Sequence, residues 1–395
     1  MRIVIFEEDH FEVLDVYYNI FIKVFGYKNV FVITNEKVFN ILKTKPTFNQ
    51  ILLTNNINRS NDLLEAIYNF VKPIKPDFFL YNTVILGEYA FAGKLTSKLQ
   101  KNKLCTTVLT LHNINTFLKP AIFNCRNPYY IFKNILKFFY KKQLIKNVDA
   151  LNVLCENQVF FLKKEFNNRK IITHIPPCIF SSKNLVELQN NLENKKLNIA
   201  ILGAIDKNRK DYNTVLQAFN LLESRLQNIQ LFLIGATNNE FAKEVIWDFE
   251  ALAKKYALSL WYNKTDNSQI SNSQLESLLL QCNLFICPTL PTTTFEANLE
   301  FYGITKSTGN FYDIVRHKIP ALFPSPIPIP PSLKECVISY SNSESLADTI
   351  NSFLINSENL KRLEIGVNNL KGYYSEDFIV ASVKQQFENL ISTNA

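Results

Sequence analysis

Two kinds of segment alternate along the chain. Short, almost wholly apolar runs are each followed by a longer stretch in which apolar residues return every three or four positions. The first pattern fits a strand covered on both faces, the second an amphipathic helix lying on a sheet. Apolar runs at 3–6, 30–34, 51–53, 77–80, 106–111, 150–154 and 170–175 alternate with helical stretches through Phe25, over 61–71, near 87–99 and from Glu156. A polar stretch, 181–196, breaks the rhythm. It resumes with runs at 197–202, 229–234, 258–262, 284–287 and 321–323, the last strand expected, separated by helical stretches at 211–226, 240–256 and 273–281. The proline-rich segment 324–331 predicts extended chain, and helices from about Ser345 and Asp377 close the sequence. Alternation of this kind predicts an α/β fold of two tandem doubly wound Rossmann-like domains. The expected boundaries are 1–177 for the first domain, 178–196 for a linker and 197–373 for the second domain. A last helix, 374–395, is expected to pack back on the first.

Length and composition agree with this division. A chain of 395 residues suits two domains of roughly 150–200 residues. With 47% hydrophobic and 20% charged residues it is globular in composition. No apolar run reaches the about 18 residues needed to span a bilayer. The opening MRIVIFEEDH reads as a first strand, because acids follow the apolar run at once. Seven cysteines, odd in number and without a CxxC pair, point to reduced thiols and a cytoplasmic setting. Four histidines without metal-ligand spacing predict no metal site; no essential cofactor is expected.

The net charge of +8 changes the picture through its location. Residues 89–148 contain no acid and many lysines. Within 127–146, aromatic residues interleave with Lys133, Lys137, Lys141 and Lys142. That combination predicts contact with an anionic membrane surface or an acceptor, peripheral at the inner face of a membrane. No motif of a nucleic-acid-binding module accompanies it.

In open α/β sheets, ligands bind beyond the carboxyl ends of the strands, where helix N-termini favour phosphate. Four places of that kind carry suitable groups. Gly203 ends the run NIAILG, and Lys207, Arg209 and Lys210 follow it before a helix, a spacing fit to clamp a diphosphate. Gly235 ends the next run. The segment 296–309 holds Glu300, Gly303, Lys306, Ser307, Thr308 and Gly309, mixing carboxylate for sugar or ribose hydroxyls with a run that can hold phosphate. The fourth is His112, after the run TVLTL, which can bond a hydroxyl or act as a base; His10, after the first strand, has a similar position and could be a base. A dehydrogenase is disfavoured, since no GxGxxG follows either leading strand.

From these residues the chain resembles glycosyltransferases of the GT-B fold, especially the large retaining family that includes sucrose synthases and bacterial mannosyl- and glucosyltransferases. VDALNVLCENQ and KIITHIPPCIF resemble one strand-helix-strand passage of that family. LNIAILGAIDKNRKDYNTVLQAFN resembles its donor segment, with Lys210 matching the family's lysine, and LLLQCNLFICPT resembles a later strand. Three departures stand out. EEDHFE replaces the glycine-rich loop after the first strand, and Ala204 replaces the arginine after the donor-segment glycine. Of the two glutamates spaced along the family's donor loop, Glu300 with Gly303 fits the first. The second falls on Thr308, or on Asp313 when counted back from the family's glycine-x-proline, matched by Lys318-Ile319-Pro320.

The resemblance implies that the second domain binds a nucleotide-diphosphate sugar, UDP or GDP foremost, and the first a glycan or lipid-linked acceptor. It implies polysaccharide or glycoconjugate synthesis, no essential metal, and retention of configuration; with His10 available as a base, inversion stays open. Two other functions fit the same architecture: a non-catalytic binding subunit, and a nucleotide-sugar 2-epimerase.

Overall fold

The computed structural model describes residues 1–42, 50–54, 61–84, 88–120, 128–180, 196–237, 239–264 and 270–394. Residues 181–195 of the expected linker and Gly87 of an expected helix lie outside them. In the first half, β1 (Ile3–Phe6), β2 (Val30–Thr34), β3 (Gln50–Leu53), β4 (Phe78–Tyr81), β5 (Thr106–Thr110), β6 (Ala150–Val153) and β7 (Ile171–His174) form one parallel sheet in the order β3-β2-β1-β4-β5-β6-β7. The helices are α1 (Phe11–Phe25), α2 (Glu36–Leu42), α3 (Asn61–Ile74), α4 (Tyr89–Lys101), α5 (Ile114–Leu118), α6 (Pro128–Asn147) and α7 (Glu156–Glu165). Alternate residues of β1 point to opposite faces. Ile3 and Ile5 pack with Leu14 and Tyr17 of α1, while Val4 and Phe6 pack with Leu63, Ile67 and Leu95 of α3 and α4. Both faces are covered, so every residue of this strand is apolar.

The second half repeats the plan. Its strands are β8 (Leu197–Leu202), β9 (Ile229–Ile234), β10 (Ser259–Tyr262) and β11 (Leu284–Ile286), then a hairpin of β12 (Thr292–Phe295) and β13 (Asn298–Phe301), then β14 (Ala321–Pro324) and β15 (Val337–Tyr340). The sheet order is β10-β9-β8-β11-β14-β15, all parallel, with the hairpin apart from it. Its helices are α8 (Tyr212–Leu222), α9 (Glu240–Tyr256), α10 (Asn272–Leu279), α11 (Gly309–His317), α12 (Ser343–Ile355), α13 (Ser357–Asn369), α14 (Lys371–Tyr374) and α15 (Glu376–Asn394). In each sheet the strand order reverses beside the leading strand, between β1 and β4 and between β8 and β11. Those crevices are where such sheets take ligands.

Four features differ from the sequence expectation. The last strand is β15, not β14; this edge strand is open at Ile338 and Ser339 between buried ends, and with the polar Ser339 VISY does not read as an apolar run. Segment 292–301 is a hairpin that the sequence pattern did not announce, turned by Glu296 and Ala297 at φ 45° and 63°. A two-residue turn with both φ positive usually signals itself with Asn-Gly or Asp-Gly, and here neither is present. The proline-rich segment runs into a 3-10 helix at Pro331–Cys336, and α13 lies between the two closing helices expected.

Helix α15 returns to the first half. The Phe387 ring sits 5.5, 5.7 and 4.6 Å from those of Phe21, Phe25 and Phe78, and Gln386 exchanges hydrogen bonds with the His174 backbone at 2.7 and 3.1 Å. One apolar cluster runs from the first sheet through Cys178, Phe180 and Tyr374 into the second. Lys318, which takes the place of the family's glycine, ends α11 in the left-handed region at φ 57°, its ammonium buried 5.1 Å over the Phe180 ring. Lys318→Gly is expected to raise stability by about 1 kcal/mol in a denaturant melt, by relieving the left-handed strain of a residue with a Cβ.

Candidate functional site

The second reversal point is open. Beyond β8 and β11 lies a cavity of about 310 Å³ lined by Gly203, Asp206, Arg209, Lys210, Thr289, Tyr302, the 306–310 turn and Asp313. Gly203 adopts φ +84°, a left-handed turn that lets the chain double back. Gly235 serves that turn by absence: a Cβ there would stand 2.2 Å from the Gly203 carbonyl oxygen. It is therefore packed behind the cavity rather than lining it. Asp206 shapes the next turn, its carboxylate accepting from Asn208 N at 2.9 Å and its carbonyl from Arg209 N and Lys210 N at 3.1 and 2.9 Å. The Lys210 ammonium donates to the carbonyls of Leu202 and Gly203, the latter at 2.8 Å. Burial pushes its pKa down to about 8. The Arg209 guanidinium is largely exposed, 3.6 Å from Asp206. Lys207 is exposed and does not line the cavity.

Helix α11 starts at the same cavity, with Thr308 as its N-cap and the Ser307 hydroxyl bonded to Tyr312. Asp313, one turn in, is half-buried. Burial pushes its carboxyl up to about 6, against the pull of Arg316 and Lys210. Lys306 reaches the first half, donating to Asn113 Oδ1, and burial lowers it to about 8. Both lysines are cations below about pH 8 and lose charge above it. Affinity of the free protein for a diphosphate is therefore expected to fall about tenfold between pH 7 and 9 for each lysine that must be charged, read from Kd against pH.

His112 precedes Asn113 on the first-half wall. Its Nε2 lies 2.8 Å from the Asn82 carbonyl, which only accepts, so Nε2 carries the hydrogen and Nδ1 keeps a lone pair. Burial, with the neighbouring His10 and Lys306, pushes its pKa down to about 3, so the ring is neutral. The His10 ring stacks on it at 4.6 Å and 25°.

The first reversal point is filled by the chain itself. One Glu7 carboxylate oxygen accepts from Asp9 N and His10 N at 2.6 and 2.9 Å, at the start of α1. The other accepts from Asn82 Nδ2 and from Thr83 Oγ1 at 2.8 Å, at the end of β4. A phosphate at this helix start would have to displace a fully buried carboxylate. That is the physical content of EEDH where the resembling family has glycines.

The hairpin β12–β13 crosses to the first half and corrects two expectations. Glu300, expected to work on substrate, is wholly buried; its carboxylate accepts from Asn115 N at 3.2 Å and from Thr116 N and Oγ1 at 2.7 Å each. It caps α5 and joins the halves. Lys141, expected on a membrane face, is buried too, donating to Glu296 and to the Thr116 carbonyl at 3.0 Å. Lys137 lies 3.7 Å from Glu296, and Tyr89 OH donates to it at 3.1 Å. The acid missing from 89–148 thus comes from the other half. Gly303, at φ +78°, turns the chain after the hairpin where a Cβ would meet Pro328 O at 2.5 Å. Lys133 and Lys142 stay exposed. Glu7, Asn82 and Asn115 went unread as functional positions, since only the fold brings them to these sites.

No protein-family profile matches the chain, and no curated protein matches it in sequence. Solved structures match it in shape. HepE of Anabaena, crystallised with UDP and with UDP-glucose, aligns over 100% of both chains, with TM-score 0.62 and 12% identity for the UDP complex. OtsA aligns over 100% of this chain and 99% of its own, with TM-score 0.56 and 13% identity. A Listeria monocytogenes protein assigned as a UDP-N-acetylglucosamine 2-epimerase aligns over 96% and 94%, with TM-score 0.52 and 12% identity. At such identities the likeness shows the fold, and this chain has the GT-B architecture of two Rossmann-like domains.

Proposed function

We propose that the chain is a glycosyltransferase that takes a sugar from a nucleotide-diphosphate sugar and passes it to a glycan or lipid-linked acceptor. The observation that carries this is the open reversal point of the second half, where Lys210, Arg209 and the start of α11 converge on one cavity. A diphosphate there meets two cations and the positive end of a helix dipole. Fixed positive groups of this kind stabilise the charge that develops on a departing diphosphate. Asp313 is the carboxylate in that cavity suited to a ribose hydroxyl. From the facing half, neutral His112 offers Nδ1 to a sugar hydroxyl. The resemblance favours retention of configuration, which the proton NMR spectrum of the first-formed product reads directly.

The HepE complexes make UDP and UDP-glucose the first ligands to test. A thermal-shift screen against UDP, GDP and their sugar conjugates is expected to show one responder, adding about 2.7 kcal/mol at 100 times its Kd. No response to any of them would overturn the proposal. A binding subunit without catalysis is favoured by one observation, the sequestration of Glu300. Donor binding with neither hydrolysis nor transfer would establish that reading instead.

A further inference from the structure

Helix α6 has two faces of different character. At about 100° per residue, Phe132, Leu136 and Phe139 fall within an arc of roughly 60°. They are 67%, 42% and 62% exposed. Lys142 and Lys146 flank the arc on one side and Lys133 on the other, all exposed. The opposite face carries Leu144 and Ile145, which are buried, and Lys141, which is held on Glu296. Beside the exposed arc, α4 and α6 enclose a groove of about 460 Å³ that Lys94, Lys98, Lys101 and Tyr140 help to line. Residues 89–148, which contain both helices, hold no acid.

Three large apolar side chains in one exposed row are not an ordinary water face. An apolar stripe between lysines is the composition of a helix lying in a membrane interface, with rings at the acyl boundary and ammonium groups among phosphates. Charge decides between possible occupants: a second copy of this basic face would meet it with like charge, whereas an anionic bilayer complements both the stripe and its rim.

We propose that the exposed face of α6 rests on an anionic lipid bilayer. The inner face of the same helix holds the hairpin that joins the halves, so the bilayer lies beside the seam between the domains. Resting on the transferase reading, this makes a lipid-carried acceptor the class that reaches the cleft.

The test is co-sedimentation of the full chain with vesicles of phosphatidylcholine alone and of phosphatidylcholine with phosphatidylglycerol. Wild type is compared with Phe132→Ser/Phe139→Ser and with Lys133→Glu/Lys142→Glu. Wild type is expected to bind the anionic vesicles only, and each variant to bind them about tenfold more weakly. All four positions are exposed, so the variants should keep the melting temperature and the nucleotide response of the wild type. Equal binding by the variants, or no binding by wild type, would overturn the proposal. So would a solution dimer that dissociates in the phenylalanine variant, since a second copy would then cover the stripe. Vesicle binding without any nucleotide response would leave this surface standing and remove the transferase reading.

Discussion

Lys210→Ala is expected to weaken diphosphate binding by about 2 kcal/mol, roughly 30-fold in Kd. In the ligand-free protein this ammonium is already turned into the cavity wall, bonded to the carbonyls that end β8. A diphosphate therefore finds the cation in place and does not have to order a long side chain. If the same charge also stabilises the leaving group, kcat should fall about 100-fold or more while KM changes less. Isothermal titration with UDP separates the binding effect from the chemical one. An unaltered Kd would place the diphosphate elsewhere. The melting temperature of the unliganded variant is the control, because the lost bonds also brace the Gly203 turn.

Lys141→Met should destabilise the protein by about 3 kcal/mol, the usual penalty for removing one member of a buried ion pair. The Glu296 carboxylate would be left in a site where its side chain is 11% exposed, with Lys137 at 3.7 Å as its remaining cation and the Tyr89 hydroxyl at 3.1 Å as a neutral donor. The double variant Lys141→Met/Glu296→Gln should recover part of the loss, since no buried charge is then orphaned. A denaturant double-mutant cycle measures the coupling. Equal losses in the single and double variants would show that packing, not charge, holds the hairpin tip.

Much of the fold was legible because parallel sheets covered on both faces write nearly continuous apolar runs, as IVIF and NIAIL do. What escaped lacked that signature. VISY is an edge strand with mixed exposure, and the hairpin turns on Glu296-Ala297, residues that seldom take positive φ. The second-half cavity was legible from Gly203, Lys210 and Thr308, which sit where a strand passes into a helix. The roles of Glu300 and Lys141 were not. Each looks like a solvent-facing charged group until the other half of the chain is brought against it, and no local pattern records a partner some 155 to 184 residues away.

The Glu7 carboxylate, held at the first reversal point, sets a stoichiometry. A protein made of two Rossmann-like halves has two reversal points where an anionic ligand could lodge. Here one of them is tenanted by the polypeptide, so a calorimetric titration with nucleotide should saturate at one equivalent per chain. Opening a second equivalent should require taking Glu7 away.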